Sequence, residues 1–268
     1  MASISYDEFM RQVESGDFKP LPVIAVAGGE AYLRRDALET LKAELRARSI
    51  EIEPFDDETR NDEELLAILR SGSLFGGGSA VLLNSVRVGN RRESIVRFKD
   101  RLLEYFERPS KSNVLLINGE SWAGNLAVPR KVKAEFLVIE CPEFAPWQST
   151  EVERVITSIA RRQDLKLASG VAGELREICG GDLGACAREL EKLALIVEGR
   201  ALTSEDLAAH LRYRGDDVSF ALVDAIVFGE RRHAIELAGS FVGERDSGNL
   251  LRFMGLLESN LRKLAILS

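Results

Sequence analysis

A chain of 268 residues is long for one hydrophobic core, so two or three domains are expected. Its 45% hydrophobic and 29% charged residues suit an ordinary globular protein, and a net charge of −7 argues against a surface that grips nucleic acid throughout. No apolar run approaches the length of a membrane span and the N-terminus has no signal-peptide pattern, which leaves a cytoplasmic default and no membrane partner.

Ser5 to Ser15 reads as a short helix, with Tyr6, Phe9, Met10 and Val13 at helical spacing, closed off by Pro20 and Pro22. The compact apolar run Val23–Ala27 follows, then Gly28-Gly29 and a helix from about Glu30 to Arg48. Further apolar runs lie at Glu51–Phe55, Ala80–Leu83, Val114–Ile117 and Phe136–Ile139, with helical stretches between them near Asp62–Arg70, Arg92–Phe106 and Ser121–Lys133. Strands that do not alternate and are separated by helices predict a parallel sheet covered on both faces.

Between the third helix and the strand at Ala80 stands Ser73-Leu74-Phe75 followed by Gly76-Gly77-Gly78. Asn61 with Glu64 forms a capping-box pattern that starts the helix, and Gly72 is where it should stop. Leu74 and Phe75 thus fall at a boundary between elements. Spacing alone allows them to fold back as core or to project as a two-residue apolar plug.

The composition changes after Pro146, beyond which there is no proline and no strand-like run. Ser149 or Thr150 is expected to cap a helix reaching Arg162, with Val152, Val155, Ile156 and Ile159 facing inward. Ser169 should start another that ends at Gly180-Gly181. Asp182 caps a third, whose Leu183, Ala187, Leu190, Leu193, Ala194 and Val197 make one stripe, and Thr203 with Asp206 starts a fourth. The charged, Gly215-containing stretch Arg212–Asp217 reads as a second boundary. Ser219–Phe228, Arg231–Val242 and Ser247–Leu267 are again helical and read as an unfinished bundle.

A parallel sheet with Gly-Gly after a strand invites a phosphate site, but the residues disagree. Counting a P-loop from Gly28 puts Leu33 at the second glycine, Arg34 at the lysine and Arg35 at the Ser/Thr, while Glu30 sets a carboxylate at the helix entrance. No cofactor is implied. Cys141, Cys179 and Cys186 form no CxxC, and with His210 and His233 they lack the spacing of a zinc site, so buried reduced thiols are expected and no metal. Asp56-Asp57-Glu58 reads as a solvated turn. Arg91-Arg92, Arg130-Lys131-Lys133, Arg161-Arg162 and Arg231-Arg232 read as solvated helix ends. No GxSxG or HExxH is present, so no catalytic residue is assigned.

A strand leading into Gly28-Gly29-Glu30-Ala31-Tyr32-Leu33, then Ser73-Leu74-Phe75-Gly76-Gly77 ahead of an apolar strand, resembles the delta subunit of the bacterial DNA polymerase III clamp loader. The similarity continues through Gly180-Gly181-Asp182-Leu183, Arg188–Leu195 and Phe220–Ile226 with Gly229 and Ala234, in the family's order. The resemblance implies an AAA+ or RecA-like α/β parallel-sheet domain without a working ATP site over residues 1–143, an all-α lid domain over 144–212, and the first helices of a truncated all-α collar domain over 213–268. It further implies that Ser73, Leu74 and Phe75 bind the sliding clamp, with the adjacent Leu-Phe pair entering an apolar pocket. The partners it implies are the clamp, the other loader subunits and, transiently, primer-template DNA. The competing readings are a nucleotide enzyme of the same fold and a helical scaffold or DNA-binding module without clamp affinity.

Overall fold

The computed structural model describes residues 3–71, 78–85, 93–120, 122–145, 147–197, 199–211, 222, 225, 226, 229, 231–242 and 257. Two compact units divide the chain, Met1–Ala145 and Pro146–Ser268.

The first unit is built on six strands: β1 Ser3–Ser5, β2 Val23–Ala27, β3 Glu51–Phe55, β4 Ser79–Ser85, β5 Val114–Gly119 and β6 Leu137–Glu140. They form one sheet in the order β1-β6-β2-β5-β4-β3, and every pairing is parallel. All five residues of β2 are buried, as a central strand covered on both faces requires. Edge strand β3 instead carries exposed Glu51, Glu53 and Pro54; the proline is tolerated there because its missing N–H breaks no inner ladder, and the charges discourage pairing with another chain.

Helices connect the strands: α1 Tyr6–Glu14, α2 Ala31–Ala47, α3 Asp62–Arg70, α4 Ser94–Arg97, α5 Lys99–Glu107 and α6 Ala127–Glu135. Val23, Ala25 and Ala27 of β2 join one core with Leu65 and Leu69 of α3, Leu102 and Tyr105 of α5, and Val128 and Val132 of α6. Ile24 and Val26, pointing the other way, belong to the side covered by α1 and α2, where Phe9, Leu33, Leu41 and Leu45 are sealed from solvent. Burying each such side chain contributes roughly 1.5–3 kcal/mol.

Several boundaries depart from the sequence reading. The strand β1 was not foreseen, three residues being too short for a pattern. The helix expected over Arg92–Phe106 is two helices, broken at Phe98, whose ring turns in to meet Phe55 edge-on at 6.1 Å. The helix expected from Ser121 starts at Ala127, after a turn closed by the Leu126 N–H on the Ala123 carbonyl. Helix α3 ends before Gly72: Ser71 is already extended at ψ 135°, and its hydroxyl donates to the Ile68 carbonyl at 2.7 Å.

In the second unit, α7 Ser149–Arg162, α8 Val171–Ile178, α9 Leu183–Val197 and α10 Ser204–His210 pack through α7–α8, α7–α9, α8–α9 and α8–α10 contacts. Val152, Val155, Ile156 and Ile159 are buried, as are Leu183, Ala187, Leu190, Leu193 and Val197 of the α9 stripe. Asp182 caps α9, accepting from the Ala185 N–H at 2.8 Å. Two of the expected caps are wrong. Gln148, not Ser149 or Thr150, precedes α7, and the left-handed Gly170, not Ser169, precedes α8. A parallel bridge between Leu167 and Leu202 adds extended pairing where the sequence showed helices alone. Arg231–Val242 is helical as expected and forms α11. The helices expected at 219–228 and 247–267 lie outside the described residues, apart from Leu222, Ala225, Ile226 and Leu257, which are helical. Among the described residues no helix is long and apolar enough to cross a membrane.

Candidate functional site

The carboxyl ends of β2, β5 and β6 meet at one level, with Ala27 paired to Gly119 on one side and to Glu140 on the other. This edge of a parallel sheet is where a phosphate would be expected, against the N-terminus of α2. The chain's own groups fill that position. The Gly28 N–H donates to the Gly119 carbonyl at 3.0 Å and the Glu30 N–H to the Cys141 carbonyl at 3.1 Å, so two amides of the turn are already bound. Gly28 has φ +144°, and a Cβ there would meet the Cys141 carbonyl oxygen at 2.0 Å. Over Gly29 lies the Glu143 side chain, 2.5 Å from where a Cβ would stand. The Glu30 carboxylate caps α2, accepting from the Tyr32 N–H at 2.9 Å, and so meets the helix dipole with a negative charge of the protein's own.

Leu33 is buried at 1% exposure inside the α2 core. Arg34 is also buried and its guanidinium donates to the Gly28 carbonyl. Arg35 lies over the Tyr32 ring at 5.6 Å. Gly28, Gly29, Leu33, Arg34 and Arg35 are therefore brought together, as a structural turn. Burial pushes the Cys141 thiol up to about 12 despite the nearby Arg34 guanidinium, which keeps it in the thiol form. Cys141 was expected only as a buried thiol, and is one; Glu143 was not singled out, and nothing in their spacing places either against a turn more than a hundred residues earlier. A cleft of about 470 Å³ borders Gly28, but its walls come from Trp122, Pro129, Arg130, Lys133 and Glu140 and from no residue of α2, and Lys133 is held by Glu140 at 3.1 Å.

At the opposite edge of the sheet, α3 hands the chain to β4 through Ser73, Leu74 and Phe75, which lie outside the described residues. Their flanks are described, and one buried side chain joins them. Asn113, 1% exposed, donates through Nδ2 to the Leu69 carbonyl at 3.0 Å and the Ser71 carbonyl at 2.7 Å. Its Oδ1 accepts from the Ser79 hydroxyl at 3.0 Å and the Ser79 N–H at 3.3 Å. Asn113 is itself seated by its N–H on Ser110 Oγ at 3.1 Å, and the Ser110 N–H reaches the hydroxyl of the core residue Tyr105 at 3.2 Å.

The turn at Asp56-Asp57-Glu58 is not simply solvated. Asp57 accepts from Arg97 Nη1 at 2.7 Å and from the Ser94 hydroxyl, tying the end of β3 to α4. Of the basic clusters, Lys131 is paired with Glu107 at 3.0 Å and Glu135 at 2.7 Å. Among the described residues no group of acidic, cysteine and histidine side chains could hold a metal.

No protein-family model and no curated protein matches the sequence. Among solved structures, the DNA clamp loader delta protein (YqeN) of Bacillus subtilis superposes with a TM-score of 0.70 at 15% identity, over 96% of this chain and 76% of that one. The chain has the fold of that delta protein. The resemblance carried by Gly28–Leu33 and the later motifs thus extends to the backbone. The Holliday junction branch migration motor RuvB of Thermotoga maritima aligns at 14% identity over 83% of this chain and 73% of its own, with a TM-score of 0.44, too distant a superposition to add to it.

Proposed function

We propose that this chain is a clamp-loader subunit of the replication machinery that binds a sliding clamp through Ser73, Leu74 and Phe75 and opens the ring for loading onto primed DNA. It works in the cytoplasm with the other loader subunits, touches primer-template DNA only transiently, and neither binds nor hydrolyses ATP. Residues 144–212 serve as the lid and residues 213–268 as the beginning of the collar. The observation that carries this reading is a delta-protein fold over 96% of the chain. The closed turn at Gly28 supports the non-catalytic part of it, because Glu30, Arg34, Cys141 and Glu143 occupy the ground a triphosphate needs.

Burying one leucine and one phenylalanine in a partner's pocket gives roughly 1.5–3 kcal/mol each. Association itself costs at least about 4 kcal/mol, so the pair acts as a hot spot within a larger contact. Ring opening follows if the contact fits the sprung form of the clamp better than the closed one. The test is calorimetric titration of purified sliding clamp into the chain carrying both Leu74→Ala and Phe75→Ala. Binding should be lost while thermal unfolding stays within a few degrees of the native chain. Undiminished clamp binding by the double variant refutes the assignment and leaves the scaffold or DNA-binding reading.

A further inference from the structure

The hydrogen bonds of Asn113 do more than satisfy a buried amide. They join the last residues of α3 to the first residue of β4 through one side chain, using both hydrogens of Nδ2 and Oδ1. A carboxamide is suited to this, since it offers donors to two carbonyls and an acceptor to a hydroxyl and an N–H from a single rigid plane. The neighbouring backbone is equally close: a Cβ on Gly78 would meet the Ser112 carbonyl oxygen at 2.5 Å, so the chain enters β4 pressed against the strand-entry turn that carries Asn113. Gly78 also accepts from the Glu51 N–H at 3.3 Å, which fixes the same point from the β3 side.

We propose that Asn113 is a positioning residue for clamp contact: by tying Ser71 to Ser79 it fixes where the chain carrying Leu74 and Phe75 leaves and re-enters the fold. This rests on the clamp-binding reading above and names a residue outside the segment that reading uses. The physical advantage is entropic. Ends held in place before binding need not be ordered during it, so affinity depends on a group that never touches the partner.

The experiment is titration of sliding clamp into the full chain carrying Asn113→Ala, Ser79→Ala or Val132→Ala, at a temperature where circular dichroism shows each variant folded. Val132 is fully buried in α6 and takes no part in the Asn113 bonds, so its truncation loosens the same core and leaves those bonds in place. Asn113→Ala should raise the dissociation constant about 10-fold or more, mainly through a less favourable entropy. Ser79→Ala, which loses the hydroxyl bond to Oδ1 and serves if Asn113→Ala does not fold, should raise it a few-fold. Val132→Ala should leave it unchanged. In a Phe75→Ala background the Asn113→Ala penalty should shrink, because both changes act on one contact. An unchanged dissociation constant in Asn113→Ala, an equal loss in Val132→Ala, or strict additivity with Phe75→Ala each overturns the proposal. If Leu74→Ala with Phe75→Ala abolishes binding while Asn113→Ala does nothing, only the positioning role fails. If that double variant binds normally, the clamp reading itself fails.

Discussion

Gly28→Ala probes whether the turn after β2 is closed. The residue has φ +144°, a region in which an L side chain is strained by about 1–3 kcal/mol. The new methyl would stand 2.0 Å from the Cys141 carbonyl oxygen and 2.3 Å from its carbon, inside any tolerable contact. Both are backbone atoms, so no flexible side chain can swing away. The Cys141 carbonyl must move by an ångström or more. That motion breaks the bond it receives from the Glu30 N–H at 3.1 Å and loads the bond from the Cys141 N–H to the Ala27 carbonyl at 2.7 Å. Each backbone bond is worth about 0.5–1.5 kcal/mol net. Strain and lost bonds together set the expected destabilisation at about 3–5 kcal/mol, a fall in melting temperature of roughly 10 °C for a unit of this size. Gly124→Ala is the control. Nothing lies within 4 Å of a Cβ there, and the change should stay within about 0.5 kcal/mol. Thermal unfolding followed by circular dichroism and urea titration measures both. A loss below about 1 kcal/mol for Gly28→Ala would mean that the turn opens freely and that the entrance of α2 is not closed to phosphates.

Magnesium ATP at about 1 mM should leave the melting temperature unchanged; a site with a dissociation constant near 10 μM would add about 2.7 kcal/mol and several degrees, so such a shift refutes the filled-turn reading. Acid should weaken the second unit through Asp206, whose carboxyl is held well below the usual range by the Arg200 guanidinium at 2.5 and 2.6 Å and by the Thr203 N–H at 2.9 Å. Because its folded pKa is depressed, this contribution is full above the unfolded carboxyl value of about 4 and is lost as pH falls toward the folded one. Asp206→Asn should flatten the decline below about pH 4. An acid-unfolding curve of unaltered slope in that variant would contradict it.

The strands were legible because β2, β4, β5 and β6 are each a short unbroken apolar run, the pattern that burial on both faces imposes. Their order was not, since parallel neighbours are set by crossovers that leave no local trace. Caps were legible where a side chain makes the cap, as at Asn61, Asp182 and Thr203. They were missed at Gln148 and Gly170, where no side chain does. The departure of the Gly28 turn from a P-loop could be read from Leu33, Arg34 and Arg35, but part of what fills it comes from Cys141 and Glu143, remote in sequence. Asn113 was invisible for the same reason. A single asparagine before a strand has no periodicity, and its importance lies wholly in the carbonyls and the serine that the fold brings around it.

The two features lie at opposite edges of one sheet. Gly28 follows the carboxyl end of β2, whereas Asn113 precedes the amino end of β5 and Ser79 begins β4. Since all strands are parallel, these edges are separated by the length of a central strand, roughly 20 Å for the six residues of β5. Groups so far apart with no shared partner do not couple appreciably. The side chains packed at the carboxyl edge therefore leave the amino edge unstrained. The core between them, with Leu115, Ile117, Leu102 and Tyr105 sealed, holds Asn113 in place through Tyr105 and Ser110 without any contribution from the turn at Gly28. Ser71 and Ser79 are in this way held by the core and by one buried amide, independently of what fills the carboxyl edge.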